Sequence, residues 1–163
     1  MGISIYQGSI FDTKADAYVN TVNCVGVMGA GIAKEFKTRF PQMFEAYKLE
    51  CLTDRIKPGD TWVYHTSTPQ MMKMDLMNVA VKNHWKQWAT REWIDQCFET
   101  FKEALHGNFI RTVNTPLWAS KNGRRGPLGL PVGYTLPPEP EEMLQLFVEH
   151  FKPIDTQVNL FLM

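Results

Sequence analysis

The sequence predicts a three-layer α/β domain, a mostly parallel or mixed central sheet with helices on both faces, on three observations. Short apolar runs rich in β-branched residues alternate with longer stretches of helical periodicity. Polar and glycine-rich residues follow Val22, Val81 and Val113, and open α/β sheets bind ligands at the carboxyl ends of such strands. A chain of 163 residues fits one domain, long enough to bury about two thirds of the surface its unfolded form exposes.

Ile3, Ile5 and Gln7 alternate with Ser4 and Tyr6, and residues 17–22 form an apolar run; both predict strands. Ile32, Ala33 and Phe36 recur at helical spacing over residues 30–40, and Pro41 stands where a second helix begins, running to about residue 52. Lys57, Pro58, Gly59 and Asp60 predict a turn. Residues 61–66 and 75–81 are further strand candidates, with Met71, Met72, Lys73 and Met74 between them as a hairpin or exposed loop. Thr90 is a plausible cap for the clearest helix, whose stripe of Trp93, Ile94, Cys97, Phe98, Phe101 and Leu105 stops at Gly107. Residues 109–114 predict a strand. The Gly- and Pro-rich stretch 116–138 is too long for a simple connection, and loops of that length are usually functional or disordered. Residues 139–151, with Met143, Leu144, Phe147 and Phe151 inward, predict a last helix, and residues 157–163 a closing strand.

Composition excludes several classes. No apolar run approaches the roughly 18 residues of a membrane span, and no basic start with a long apolar stretch marks a secretory signal, so a cytoplasmic protein without membrane contact is expected. Cys24, Cys51 and Cys97 form neither an even set nor a CxxC pair, which argues for buried thiols over a disulfide scaffold or zinc site; no metal is expected. Seventeen basic and seventeen acidic residues cancel, which disfavours a sequence-independent grip on duplex nucleic acid but suits a pocket for one or two phosphates lined by backbone amides.

The richest segment leaves the strand at Asn20, Thr21 and Val22, passes Asn23, Gly26, Val27, Met28, Gly29, Ala30 and Gly31, and enters a helix at Ile32. Glycines let the backbone approach a pyrophosphate, and the helix N-terminus supplies N–H donors and partial positive charge. Asn23 can serve ribose hydroxyls with both its amide donor and its carbonyl acceptor. The spacing Gly26-x-x-Gly29-x-Gly31 matches neither the GxGxxG nor the GxxxxGK[ST] fingerprint.

Residues 16–23, DAYVNTVN, resemble the DA-x-VN-x-x-N signature of macrodomains, and residues 23–33, NCVGVMGAGIA, closely resemble the loop of one macrodomain branch. That branch holds the DarG-like DNA ADP-ribosyl glycohydrolases and the terminal ADP-ribose glycohydrolases that act on proteins. Tyr47, Cys51 and Lys57-Pro58-Gly59 also match it. The resemblance implies a single three-layer α/β/α macrodomain over residues 1–163 with a central mixed sheet. It implies that Asn23 lies near the distal ribose, that the loop from Gly26 to Ile32 wraps the diphosphate, and that adenine is held near Ser9 and Ile10. Many macrodomains carry aspartate where Ser9 stands, and a serine hydroxyl accepts a hydrogen bond more weakly than a carboxylate.

Residues 78–86, NVAVKNHWK, resemble the segment in which this branch carries its catalytic lysine, and Lys82 falls on that position. The resemblance implies that its amine attacks the anomeric carbon of the ADP-ribosyl group. Burial beside an apolar strand and Trp85 is expected to supply the neutral amine. A second phosphate loop is expected over Trp118, Ser120, Lys121, Asn122 and Gly123, where the family's glycine-dense run is replaced and no aspartate stands. Arg124 and Arg125 either pin phosphate or an attached strand, or are solvated.

The sequence therefore predicts an ADP-ribosyl glycohydrolase with Lys82 and Asn23 as catalytic residues, ADP-ribose or ADP-ribosylated DNA or protein as partner, no cofactor, and a monomeric state. A non-catalytic ADP-ribose reader and an ADP-ribose 1″-phosphate phosphatase are its rivals.

Overall fold

The computed structural model describes residues 2–163. Its elements follow in the order β1 (Gly2–Gln7), β2 (Ala17–Val22), α1 (Gly31–Arg39), α2 (Pro41–Leu52), β3 (Thr61–Ser67), β4 (Lys73–Ala80), α3 (Arg91–Gly107), β5 (Thr112–Pro116), α4 (Pro140–Phe151) and β6 (Gln157–Leu162). The strands form one sheet in the order β1-β6-β5-β2-β4-β3. β3 pairs with β4 antiparallel through a hairpin, and the other neighbours pair parallel, so the sheet is mixed, as expected.

Alternation along the strands sends successive side chains to opposite faces, and each face has its own apolar core. Tyr18, Val22, Leu76 and Ala80 pack with Phe36, Met43, Phe44 and Tyr47 of α1 and α2. Val19, Met77, Val79, Val158 and Leu160 pack with Phe98 and Phe101 of α3 and Phe147 and Phe151 of α4. A strand covered on both faces is buried nearly throughout, and β2 is, with only Thr21 half-exposed. Among the described residues no helix is long and apolar enough to cross a membrane.

Two central contacts are polar. Asn20 faces Asn78 across β2 and β4, its Nδ2 donating to Asn78 Oδ1 at 3.1 Å. Asn159 faces Asn114 across β6 and β5, its Nδ2 donating to Asn114 Oδ1 at 3.0 Å, while Asn114 Nδ2 donates to the carbonyls of Ile10 and Thr13. These amides tie the loop after β1 to the middle of the sheet.

Thr90 caps α3 as expected, its Oγ1 accepting the Trp93 N–H at 3.1 Å. The strand expected over residues 109–114 instead runs from Thr112 to Pro116. α3 closes with Phe109 left-handed at φ 55°, the Phe109 N–H bonding the His106 carbonyl and the Ile110 N–H the Leu105 carbonyl. These are the paired bonds of a Schellman cap, and they take the first residues of the apparent strand into a reversal.

The topology creates a seam. β2 leads to α1 on one face of the sheet and β5 leads towards α4 on the other, and the two strands are neighbours. Their outgoing loops part above that boundary, where ligands bind in open α/β sheets.

Candidate functional site

The loop between β2 and α1 is folded around Asn23. Its Nδ2 donates to the Val27 carbonyl at 2.8 Å, and its Oδ1 accepts from the Val25 and Val27 N–H groups at 3.1 and 3.4 Å. From beneath, the Tyr47 hydroxyl lies 2.8 Å from the Asn23 backbone oxygen and 2.9 Å from its Oδ1 and donates between them. Burial pushes the Tyr47 phenol well up and keeps it a donor. The side chain expected to hold ribose hydroxyls is thus 7% exposed and engaged within its own loop; the structure makes it the loop's template.

Gly26 adopts φ 81° against α2, where a Cβ would lie 3.6 Å from the Lys48 side chain and 3.9 Å from Cys51 Cβ, so the loop rests in van der Waals contact with that helix and the positive φ is what calls for glycine. Val25, Val27, Gly29, Ala30 and Gly31 are exposed. α1 begins at Gly31 with no side-chain cap on Ala30 and no acidic residue in its first turn. An uncapped N-terminus offers N–H donors and partial positive charge to an anion. Met28 and Ile10, expected at the ligand, are buried in the core with α1 and α2, and the Ile10 carbonyl is taken by Asn114 Nδ2. Asn20 is fully buried and engaged by Asn78, and Thr21 lies higher, half-exposed.

Lys82 lies two residues beyond β4 and is 4% exposed. Its Nζ donates to the Arg125 carbonyl at 2.9 Å and approaches the Asn122 carbonyl at 3.5 Å. Neutral carbonyls do not repay the desolvation of an ammonium as a carboxylate does, and burial lowers the amine from its ordinary 10.5 to about 8. About one amine in ten is then neutral at pH 7. The desolvation was expected from an apolar strand and Trp85; the Trp85 ring is 44% exposed, and the second loop closes over the amine.

The second loop also meets the first. A Cβ on Gly31 would lie 3.0 Å from Asn122 Nδ2, and one on Gly123 would lie 3.6 Å from Thr21 Oγ1. On the other side the first loop is stitched to the β4 exit, the Cys24 N–H donating to the Asn83 carbonyl at 2.8 Å. Thr21, Gly31, Lys82, Asn122 and Gly123 therefore converge. Lys121 is exposed, and the Ser120 hydroxyl donates back to the Leu117 carbonyl.

Two residues of this loop are structural. Trp118, expected at the ligand, is fully buried, its ring centroid 4.9 Å from Phe98, 5.1 Å from Phe101 and 4.9 Å from Phe147, with Nε1 donating to Thr115 Oγ1. Arg124 is buried too, donating to the Pro137 and Pro138 carbonyls and to Glu139 Oε1, so it clasps the stretch before α4 and pins no phosphate.

At the far side of the first loop, Ser9 Oγ accepts the Phe11 N–H, and the Ser9 N–H donates to Asp12 Oδ2 at 2.9 Å. Sequence reasoning passed over Asp12, although an aspartate three residues beyond a glycine-serine pair signals a side-chain-closed turn. It also missed the part played by Tyr47, whose place on the stripe of Phe44, Tyr47 and Cys51 signals a buried hydroxyl needing a partner. The segments that build the convergence, residues 17–34, 76–91 and 104–138, contain no aspartate or glutamate, whereas Lys34, Lys82, Lys86, Lys121 and Arg125 lie within them.

A crevice at the carboxyl ends of β2, β4 and β5, roofed by a glycine loop, centred on a neutralisable lysine and built from three segments without a carboxylate, defines an α/β binding domain suited to a phosphorylated ligand. The chain belongs to the macrodomain family, matching the Macro domain over residues 19–124. It is 39% identical over 121 residues to the DNA ADP-ribosyl glycohydrolase of Mycobacterium tuberculosis, covering 74% of this chain and 34% of that relative. It is 28% identical over 152 residues to the protein so named in Thermus aquaticus, covering 93% of this chain and 39% of the other. The solved macrodomain of Mycobacterium tuberculosis DarG superposes with a TM-score of 0.80 at 30% identity, over 98% of each chain. The chain spans between 34% and 39% of the length of these curated relatives.

Proposed function

We propose that the crevice binds ADP-ribose and that the protein is an ADP-ribosyl glycohydrolase, releasing ADP-ribose from a modified DNA or protein through Lys82. The observation that carries the reading is the convergence of both loops on a buried lysine whose amine is lowered to about 8. The names of the curated relatives support it.

The exposed stretch from Gly29 to Gly31 and the uncapped start of α1 receive the diphosphate. Asn23 acts through the shape it gives that loop. Thr21, Asn122 and Gly123 border the distal ribose, and adenine lies by Ser9 and Ile10, where Asp12 supplies a carboxylate. The neutral Lys82 amine attacks the anomeric carbon. The bond from that carbon to the target atom breaks, its electron pair leaves on the target atom, and that atom takes up the proton shed by the amine. Water then cleaves the resulting glycosylamine, giving ADP-ribose and returning the lysine. On DNA this removes a lesion and restores the base.

Incubation with ADP-ribosylated single-stranded DNA, ADP-ribosylated protein and ADP-ribose 1″-phosphate in parallel tests the reading. Free ADP-ribose is expected from DNA or protein; phosphate release alone marks a phosphatase and overturns the proposal. The second reading is a non-catalytic reader, favoured by the donation of Lys82 to the Arg125 carbonyl, which restrains the nucleophile. Tight binding without release from any target establishes it.

Asn23→Ala removes the side-chain partner of the Val27 carbonyl and the Val25 N–H and leaves the Tyr47 hydroxyl only the Asn23 backbone oxygen. These part-buried bonds are each worth about 0.5–1.5 kcal/mol, and a loosened loop is expected to weaken ADP-ribose about tenfold or more by titration calorimetry. Unchanged affinity argues against the template.

A further inference from the structure

Lys82 is held at both ends. Its amine meets the second loop at the Arg125 and Asn122 carbonyls, and its backbone carbonyl accepts the Cys24 thiol of the first loop at 3.6 Å. The Cys24 N–H bonds the next carbonyl along, that of Asn83, at 2.8 Å. One residue of the first loop therefore grips two successive carbonyls of the segment that carries the amine.

That segment has left the sheet. β4 stops at Ala80, and the Val81 N–H turns back to the Val79 carbonyl at 3.1 Å, a three-residue bend of the kind found at strand ends. Before the bend the Ala80 carbonyl is fixed by the Gly59 N–H at 2.8 Å and by the Cys97 thiol at 3.4 Å. Beyond it the Lys82 and Asn83 carbonyls are fixed by Cys24. Two thiols thus donate on either side of the bend, one from α3 and one from the first loop. Burial pushes the Cys24 thiol up to about 12 and the Cys97 thiol well above its usual value. Both therefore stay protonated, as a donor must, and the raised value makes Cys24 unlike a reactive thiol.

We propose that Cys24 is a positioning residue for Lys82, its thiol tying the first loop to the lysine's own peptide so that the amine stays beneath the second loop, in line with the anomeric carbon. The role rests on the glycohydrolase reading. A ligand seated on the first loop is then in fixed register with the amine, because the same residue anchors both. An S–H bond is weak, but attack needs the reacting atoms aligned, and a shift of about 1 Å costs about a hundredfold in rate. The backbone bond to Asn83 survives any change of the Cys24 side chain, so the loss from removing the thiol is smaller than that.

The test compares Cys24→Ala, Cys24→Val and Cys24→Ser. Alanine and valine, one smaller and one larger than cysteine, both remove the donor, and serine keeps it. Single-turnover release of ADP-ribose is expected to fall about tenfold in the first two, with ADP-ribose affinity by calorimetry within a few fold of the parent, while Cys24→Ser keeps most of the rate. Labelling of Lys82 with acetic anhydride, followed by mass spectrometry as pH is raised, reads the amine without turnover. Its half-reactive point, about 8 in the parent, is expected to move towards the ordinary 10.5 in the alanine and valine variants as the amine leaves its cover, and to stay in place with serine. The proposal is overturned if alanine and valine release ADP-ribose as the parent does, if affinity falls in step with rate, or if serine is as slow as alanine. No release by the parent from any target defeats the glycohydrolase reading, and the labelling then decides alone. A shift with alanine and valine that serine reverses leaves the tie standing, and unchanged labelling overturns it.

Discussion

Lys82→Met is expected to lower release of ADP-ribose by at least about a thousandfold, the scale on which loss of a nucleophile acts, while ADP-ribose affinity stays within a few fold. Methionine keeps the length of the buried stem and removes only the amine. In the parent the reactive species is the neutral amine, so with a value of about 8 the rate rises about tenfold per pH unit below that value and levels off above it. A flat profile from pH 6 to 9, or turnover retained in Lys82→Met, excludes the lysine mechanism. Stability carries the same signature. Between about 8 and 10.5 the unfolded chain holds a proton that the folded chain has lost, so stability rises with pH across that window. In Lys82→Met that component of the rise disappears.

Trp118→Ala is expected to destabilise the fold by about 3–5 kcal/mol, the range for emptying a large aromatic from a core. The cavity opens among Phe98, Phe101 and Phe147 and leaves Thr115 Oγ1 without its indole donor. Denaturant unfolding measures the loss. If Trp118 instead contacted ligand, the variant would lose affinity for ADP-ribose and keep its stability, the reverse of the expectation.

The legible parts of this chain were those written in short-range signals. The apolar run of β2 and the proline at the start of α2 placed both elements at residues 17–22 and 41–52. The glycine loop, the following helix and Lys82 were equally visible. Phe109 was misplaced because a bulky aromatic in a left-handed cap looks like a strand residue until the helix end is seen. Trp118 was misassigned because its sequence neighbours are polar and glycine-rich, whereas its contacts lie about 20 residues upstream on α3 and 30 downstream on α4. The desolvation of Lys82 was foreseen, but the loop that buries it, whose Asn122 and Arg125 carbonyls meet the amine, is 40 and 43 residues away. Asn23 has four hydrogen-bonding sites, and nothing in their number reveals that the loop itself takes them up.

Because β1 and β6 run parallel side by side, Gly2 and Leu162 lie at opposite poles of the sheet. The crevice shares its pole with Leu162. A biosensor chip that captures the protein through a tag ahead of β1 presents the crevice to the flow, whereas capture through a tag after β6 turns it towards the matrix. The two immobilisations therefore give the same affinity for a small nucleotide but different access for a long strand.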